Sequence, residues 1–377
     1  MTLDARRRAL LAALAGAPLA ACTNYGPPDV PELAPLATSL TDTVWSVSLG
    51  SGSANLMPAA MGERVILADA KGEVVVLDAG SGRRVSGFET PGPIVAGIGS
   101  DGERHALATA DGVLRVYDSA GKALWQAALG AEALSTPSVG AGLVLVRLSN
   151  AAIVAYDVQS GVRRWIHNQR PVALVLRQPS WATIEPSAVF IGLPAGRVIA
   201  LAPGNGATLW ESGVSLPRGT NEIERIADVL GAPARVGDQV FALAYQGRLE
   251  AMTATTGRTE WSKDVNGSGG LDADARAVVA IDTRDNVLGF GRDGTALWTN
   301  GQLRGRRLGV PRLVDGRVWV GDAAGVVHML DGADGRLVGR AIGDGEQVMA
   351  PGLAVRAGDR SLMIFQSLGG AVFAARA

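Results

Sequence analysis

One thiol, Cys22, and three imidazoles, His105, His167 and His328, are the side chains of this 377-residue chain best suited to nucleophilic or metal chemistry. A single cysteine excludes an internal disulfide, and the histidines share no spacing that would converge on a zinc ion. They read as ordinary strand or surface residues. The chain carries no Gly-x-Ser-x-Gly elbow, no phosphate-binding loop and no acidic run with calcium-loop spacing. No catalytic residue, metal site or cofactor is therefore assigned. The net charge of −1 gives no reason to expect nucleic acid as a partner. What remains is chemistry of attachment and recognition.

Attachment begins at the N-terminus. Arg6, Arg7 and Arg8 precede a short apolar run, Ala9 to Leu19, which is too short to span a bilayer and has the proportions of an export signal. The run ends in Leu19-Ala20-Ala21-Cys22, which resembles the lipobox of bacterial lipoproteins. Small residues admit the peptidase, and the thiol forms the thioether to diacylglycerol. Residues 1–21 are thus expected to be a lipoprotein signal peptide, with Cys22 carrying acyl chains such as palmitate. Two or three chains on one residue suffice for stable anchoring. Thr23 stands where an Asp would retain a lipoprotein in the inner membrane, so the expected location is the outer membrane, lipid-anchored and facing the periplasm. Arg7-Arg8-Ala9-Leu10-Leu11 also has a faint likeness to a twin-arginine signal. Pro27, Pro28, Pro31 and Pro35 favour extended, poorly packed backbone, so residues 22–41 read as a lipidated tether.

The rest of the chain is repetitive. A turn glycine, an alternating apolar strand ending near Asp, then x-x-Ser/Thr-Gly and a Trp four residues on recur along it. The clearest copies run from Ala152 through Asp157 and Gly161 to Trp165, and from Gly112 through Asp118 and Gly121 to Trp125. Glycines 82, 121, 161, 206, 257, 294 and 335 are spaced by 39, 40, 45, 51, 37 and 41 residues. A period near 40 is that of a propeller blade of about four strands. The two long intervals locate insertions at about 168–187 and 211–235. The chain stops at Gly369–Ala377, a turn and third strand with no fourth, while Thr43–Leu49 is a Trp-bearing strand with nothing before it. Pairing the two would close the ring and remove an open edge. The expectation is an all-β, eight-bladed β-propeller of four-stranded blades over residues 42–377, closed by an N-terminal strand. Trp45, Trp125, Trp165, Trp210, Trp261 and Trp298 sit at the template position and should pack between neighbouring blades. Trp181 and Trp319 are off it, and Trp181 is the one expected nearer the surface.

This phrase resembles the repeat of pyrroloquinoline-quinone (PQQ) propellers. Two functional classes use it: PQQ-dependent dehydrogenases, and the BamB family of outer-membrane assembly lipoproteins. The dehydrogenases are usually longer, with insertions for a cofactor pocket, a calcium site and often vicinal cysteines. Here there is no cysteine pair, and eight blades leave little chain for a pocket. The lipobox, the stretch Glu132–Pro137 followed by Gly142–Val146, the loop Pro171–Arg177 and the stretch Glu222–Val229 are similar to BamB sequences. The PQQ-dependent dehydrogenase-like quinoprotein is the alternative reading.

The resemblance implies a non-catalytic scaffold of the β-barrel assembly machinery that holds the POTRA domains of BamA and presents unfolded outer-membrane protein clients. It carries contact roles onto Leu174, Leu176 and Arg177, and onto Asp228 with its neighbours Glu222 and Arg225. An apolar pair would anchor the partner while the charges set orientation. For Leu174 and Leu176 a core-facing strand role is the alternative, although Arg177 beside them is hard to bury. Leu230 stands where that family often has a second acidic residue, which weakens the acidic half of the site. Arg304, Arg306, Arg307, Arg312 and Arg317 read as a solvated rim, with an additional partner site as the alternative.

Overall fold

A computed structural model of the chain describes residues 30–36, 39, 41–53, 56–170, 174, 176, 181–215 and 226–376. Within them the backbone forms eight four-stranded antiparallel sheets. In chain order, blades 1 to 7 occupy residues 59–89, 94–128, 138–168, 183–213, 229–264, 267–300 and 312–342. Blade 8 combines Leu353–Ala357, Arg360–Gln366 and Ala371–Arg376 with the N-terminal strand Thr43–Ser48. That strand runs antiparallel to Ala371–Arg376, pairing Ser48 with Ala371 and Val47 with Val372. The expected closure of the ring is what the chain adopts.

Position in the blade explains the apolar patterning. Second and third strands such as Arg64–Ala68 and Glu73–Asp78 are buried on both faces, because a blade stands between two neighbours. They consequently read as continuous apolar runs. Outer strands such as Arg84–Glu89 are largely exposed and polar. The apolar core is divided accordingly. Its eight clusters each join one pair of adjacent blades, from Ile66 and Ile94 between blades 1 and 2 round to Val65 and Ile364 between blades 8 and 1.

The tryptophans bind these interfaces at their outer ends. Trp45, Trp125, Trp165, Trp210, Trp261 and Trp298 each donate the indole N–H to a backbone carbonyl of the next blade, those of Ala79, Val158, Pro203, Ala254, Arg292 and Gly332, at 2.7–3.0 Å. Each acceptor lies two or three residues ahead of that blade's turn glycine. The glycine has a positive φ, between 68° and 83° across the seven turns. It also lies flat beneath the indole: a Cβ on Gly82, Gly161 or Gly206 would come within 2.6 Å of the ring of Trp45, Trp125 or Trp165. Glycine is thus required twice, for its backbone conformation and for the space it leaves. Blade 1 substitutes Phe88, which covers Gly121 without a hydrogen bond.

At the ring closure the pair is exchanged. Gly339 occupies the strand position where a tryptophan would stand, and Thr41 takes the place of the turn glycine. The Thr41 methyl would lie 2.8 Å from a Cβ on Gly339, and its hydroxyl donates to the carbonyl of Arg376 at 2.8 Å. Trp319 is fully buried and packs on Phe365, whereas Trp181 is only partly buried.

Gly206→Ala should lower unfolding stability by about 2–5 kcal/mol, combining left-handed strain with the clash against Trp165. Gly62→Ala is the control, because Gly62 has φ of 63° but open space around its Cβ position. It should cost only the strain, about 1–2 kcal/mol. Denaturant midpoints for the two variants give the comparison, and equal losses would remove the steric half of the lock.

Candidate functional site

Antiparallel order decides which loops share a face. Each blade is entered at its inner strand and left from its outer strand on the same face as the turn between its second and third strands. The two irregular intervals of the repeat are both such inter-blade connections, from blade 3 to blade 4 and from blade 4 to blade 5. They therefore emerge side by side.

Asp228 joins them. It lies at the end of the second connection and is buried. Its Oδ2 accepts the backbone N–H of Leu176, in the first connection, at 2.7 Å. Its Oδ1 accepts the N–H of Ala195 at 3.1 Å, in the turn between the second and third strands of blade 4. That turn holds Ala195 at φ 59°, which aims its amide at the carboxylate. Asp228's own carbonyl accepts from Tyr245 N at 2.8 Å. A carboxylate receiving amides from two loops is a strong, charge-assisted tie. Arg147, which closes the strand Leu143–Arg147 of blade 3, is the cation coupled to Asp228. Burial pushes its guanidinium down to about 10, partly offset by the Asp228 charge, so it stays protonated at neutral pH.

The two leucines divide between the readings open to them. Leu176 is half-buried and packs on the cluster between blades 5 and 6, which contains Leu230, Phe241 and Leu243. Leu174 is 44% exposed. Leu230 is 2% exposed and belongs to that same cluster. Its apolar side chain thus contributes to the floor under Leu176. An open cleft of about 580 Å³ adjoins the site between blades 4 and 5, lined among the described residues by Val214, Ile226, Ala227, Gln246, Arg248 and Glu250. Burial pushes the Glu250 carboxyl up. Cys22, Arg177, Glu222 and Arg225 lie outside the described residues.

Arg147 is the member of this constellation that motif matching misses. Its signal is faint: one arginine ending the otherwise apolar strand Leu-Val-Leu-Val-Arg. The expected arginine rim is only partly solvated. Arg304 and Arg307 are exposed, but Arg306 is buried, and its Nε donates to Asp322 Oδ2 at 2.6 Å. The same oxygen is 2.8 Å from His328 Nε2, with Asp322 and His328 both fully buried. Burial holds His328 below the usual imidazole range. For Asp322 burial acts upward, but hydrogen bonds from His328, Val326 N and Arg306 outweigh it and hold the carboxyl low. His105 is likewise buried and pushed down. Among the described residues no group of three or more His, Cys, Asp or Glu could hold a metal ion.

The family model described as outer membrane protein assembly factor BamB matches residues 70–293. Outer membrane protein assembly factor BamB of Bordetella pertussis is 35% identical over 353 residues, covering 91% of either chain. The crystal structure of BamB from Moraxella catarrhalis superposes with a TM-score of 0.80 at 26% identity, over 90% of this chain and all of that one. A quinohemoprotein alcohol dehydrogenase from Comamonas testosteroni superposes with a TM-score of 0.68 at 12% identity, a likeness of fold alone.

Asp228→Ala leaves the Leu176 and Ala195 amides without their acceptor and should cost about 1–3 kcal/mol. Asp228→Asn, which keeps one acceptor oxygen, should cost less. Equal urea midpoints for the alanine variant and the parent would show that the tie carries no stability. Acid should weaken the ring through its buried histidines. The unfolded chain takes up their protons near pH 6.5 while the folded chain does not, so stability is lost as pH falls below about 6.5. Each histidine contributes at most about 1.4 kcal/mol per pH unit. Unfolding at pH 7.5, 6.5 and 5.5 tests this, and His328→Gln should flatten the slope. An unchanged slope would remove His328 from the account.

Proposed function

Because the chain belongs to the family of the outer membrane protein assembly factor BamB, we propose that it is a non-catalytic scaffold of the β-barrel assembly machinery. In this reading the propeller binds POTRA domains of a BamA-type partner and aids assembly and insertion of outer-membrane β-barrel proteins, whose unfolded chains are its clients. Acylated Cys22 holds it at the outer membrane, facing the periplasm. Residues 1–21 are then the signal peptide, 22–41 the lipid-linked segment and 42–377 the propeller.

The observation that carries the reading is the Asp228 tie. It fastens two inter-blade connections to one carboxylate and seats Leu176 on the ring, while Leu174 stays exposed beside it. An exposed leucine on a seated loop offers an anchor for a small apolar pocket at little ordering cost. Arg177, Glu222 and Arg225 supply charges around that anchor in this proposal, with Asp228 serving to set the loop rather than to touch the partner. The cleft beside Ile226 and Ala227 would take a side chain of the partner.

The test is co-purification from detergent-solubilised outer membrane. The paired change Leu174→Ala and Arg177→Ala should weaken recovery of the BamA-type partner by about 30-fold, the effect of losing roughly 2 kcal/mol at a hot spot. Recovery equal to that with the unaltered chain would overturn the site. Leu230→Asp should lower stability, because it places a charge in the cluster under Leu176.

A further inference from the structure

Residues 30–36 do not trail away from the propeller, although their prolines favour an open tether. They lie against the outside of blade 7. An Arg306 Nη1 N–H donates to the carbonyl of Pro31, and Arg340 Nη1 donates to that of Ala34 at 2.6 Å. Leu33 and Leu36 pack on the cluster between blades 6 and 7, beside Trp298. Further along, Ser39 Oγ accepts the backbone N–H of Arg340 at 3.2 Å. Thr41 then covers Gly339, and the chain enters blade 8.

The arginines meet this segment through its backbone. Two carbonyls three residues apart take one guanidinium each, and two leucines three residues apart take the apolar groove. Arg306 is itself fixed by Asp322, which His328 also contacts, so the first clamp is preorganised in the interior of blade 7. Arg306 belongs to the connection from blade 6 to blade 7, and its carbonyl accepts from Ala323 in blade 7's second turn. The segment therefore leaves the ring at the face that carries the inter-blade connections.

We infer that this groove is a seat for the lipid-linked segment and makes the rim of blades 6 and 7 the membrane-proximal edge of the propeller. The inference rests on the reading of Cys22 as acylated. With the segment seated, only the eight steps from Cys22 to Val30 separate lipid from ring, a reach of at most about 29 Å at full extension. Unseated, the same anchor would act through all twenty steps to Asp42 and allow a reach of about 70 Å. Seating thus turns a loose leash into an orienting one. In an eight-bladed ring the opposite edge, blades 2 and 3, is held farthest from the bilayer, with the connections around Leu174 and Asp228 between the two.

Two measurements separate the groove from the anchor. In the unacylated chain carrying Cys22→Ser, spin labels at Glu32→Cys and Ala333→Cys should give one narrow distance. Leu33→Ser with Leu36→Ser should broaden it, leaving the far-ultraviolet circular dichroism unchanged. A broad distribution in the starting chain would overturn the seat, whatever the state of Cys22. In acylated protein on phospholipid vesicles, whose only free thiol is an added one, a dye at Arg284→Cys should be quenched by headgroup-labelled lipid about threefold or more above one at Ser149→Cys. These positions are exposed turn residues of blades 6 and 3 on one face. Equal quenching, or a contrast that survives Leu33→Ser with Leu36→Ser, would overturn the orientation. Failure of the acylated form to float with vesicles at all would instead remove the anchor, and the spin-label distance would still decide the seat.

Discussion

An indole lying over a glycine is the contact on which this ring depends. Among the described residues the buried apolar surface of the blades is divided among eight separate interfaces, so the ring is only as coherent as each junction. The tryptophan of one blade reaches the next by a hydrogen bond to a turn whose glycine must be both left-handed and bare. Ring geometry is thereby set at the outer circumference, where strands splay and packing alone would be weakest. The inner strands then need only apolar bulk, which the continuous Val, Leu, Ile and Ala runs of the second and third strands supply.

Because these locks lie at the turns between third and outer strands, the opposite face is released from holding the ring together. Its connections vary in length from 2 residues between blades 5 and 6 to the long intervals around 169–182 and 214–228. Asp228, at the end of the second interval, ties Leu176 of the first and Ala195 of blade 4 to one carboxylate. Its carboxylate is spent on amides, so the residue that resemblance marks as a contact acts first as a fastener. Arg147 lies in the electrostatic neighbourhood of that fastener from two blades away, and Leu230 supports it from below.

Nearly all of the ring is legible in the residues. Glycine spacing, the tryptophan offset and the unpaired strands at either end suffice for blade number and closure, because each reports a local rule repeated in register. The site is legible only in part. Leu174 and Leu176 look alike in sequence, yet one is exposed and the other packs on blades 5 and 6, a difference set by a carboxylate 52 positions away. Arg306 looks like its neighbours in an arginine-rich stretch, and only the fold brings Asp322 and His328 to it. Long-range pairs of single residues leave no periodic trace. The same holds for Pro31–Leu36, whose prolines predict open chain and whose two leucines find a groove in blade 7.

The exchange of Thr41 and Gly339 for the usual pair has a consequence for how the molecule comes into being. That exchange lies between blade 7 and blade 8, and within blade 8 the first strand pairs with the last, Thr43 with Ala375. A chain delivered from its N-terminus can assemble seven blades from neighbours in sequence, but not the eighth. Thr43–Ser48 must keep an unpaired edge until residue 376 arrives. So large a sequence separation raises the entropic cost of finding that pairing. A strand with its upstream residues already resting on blade 7 would begin that search a short distance from its goal.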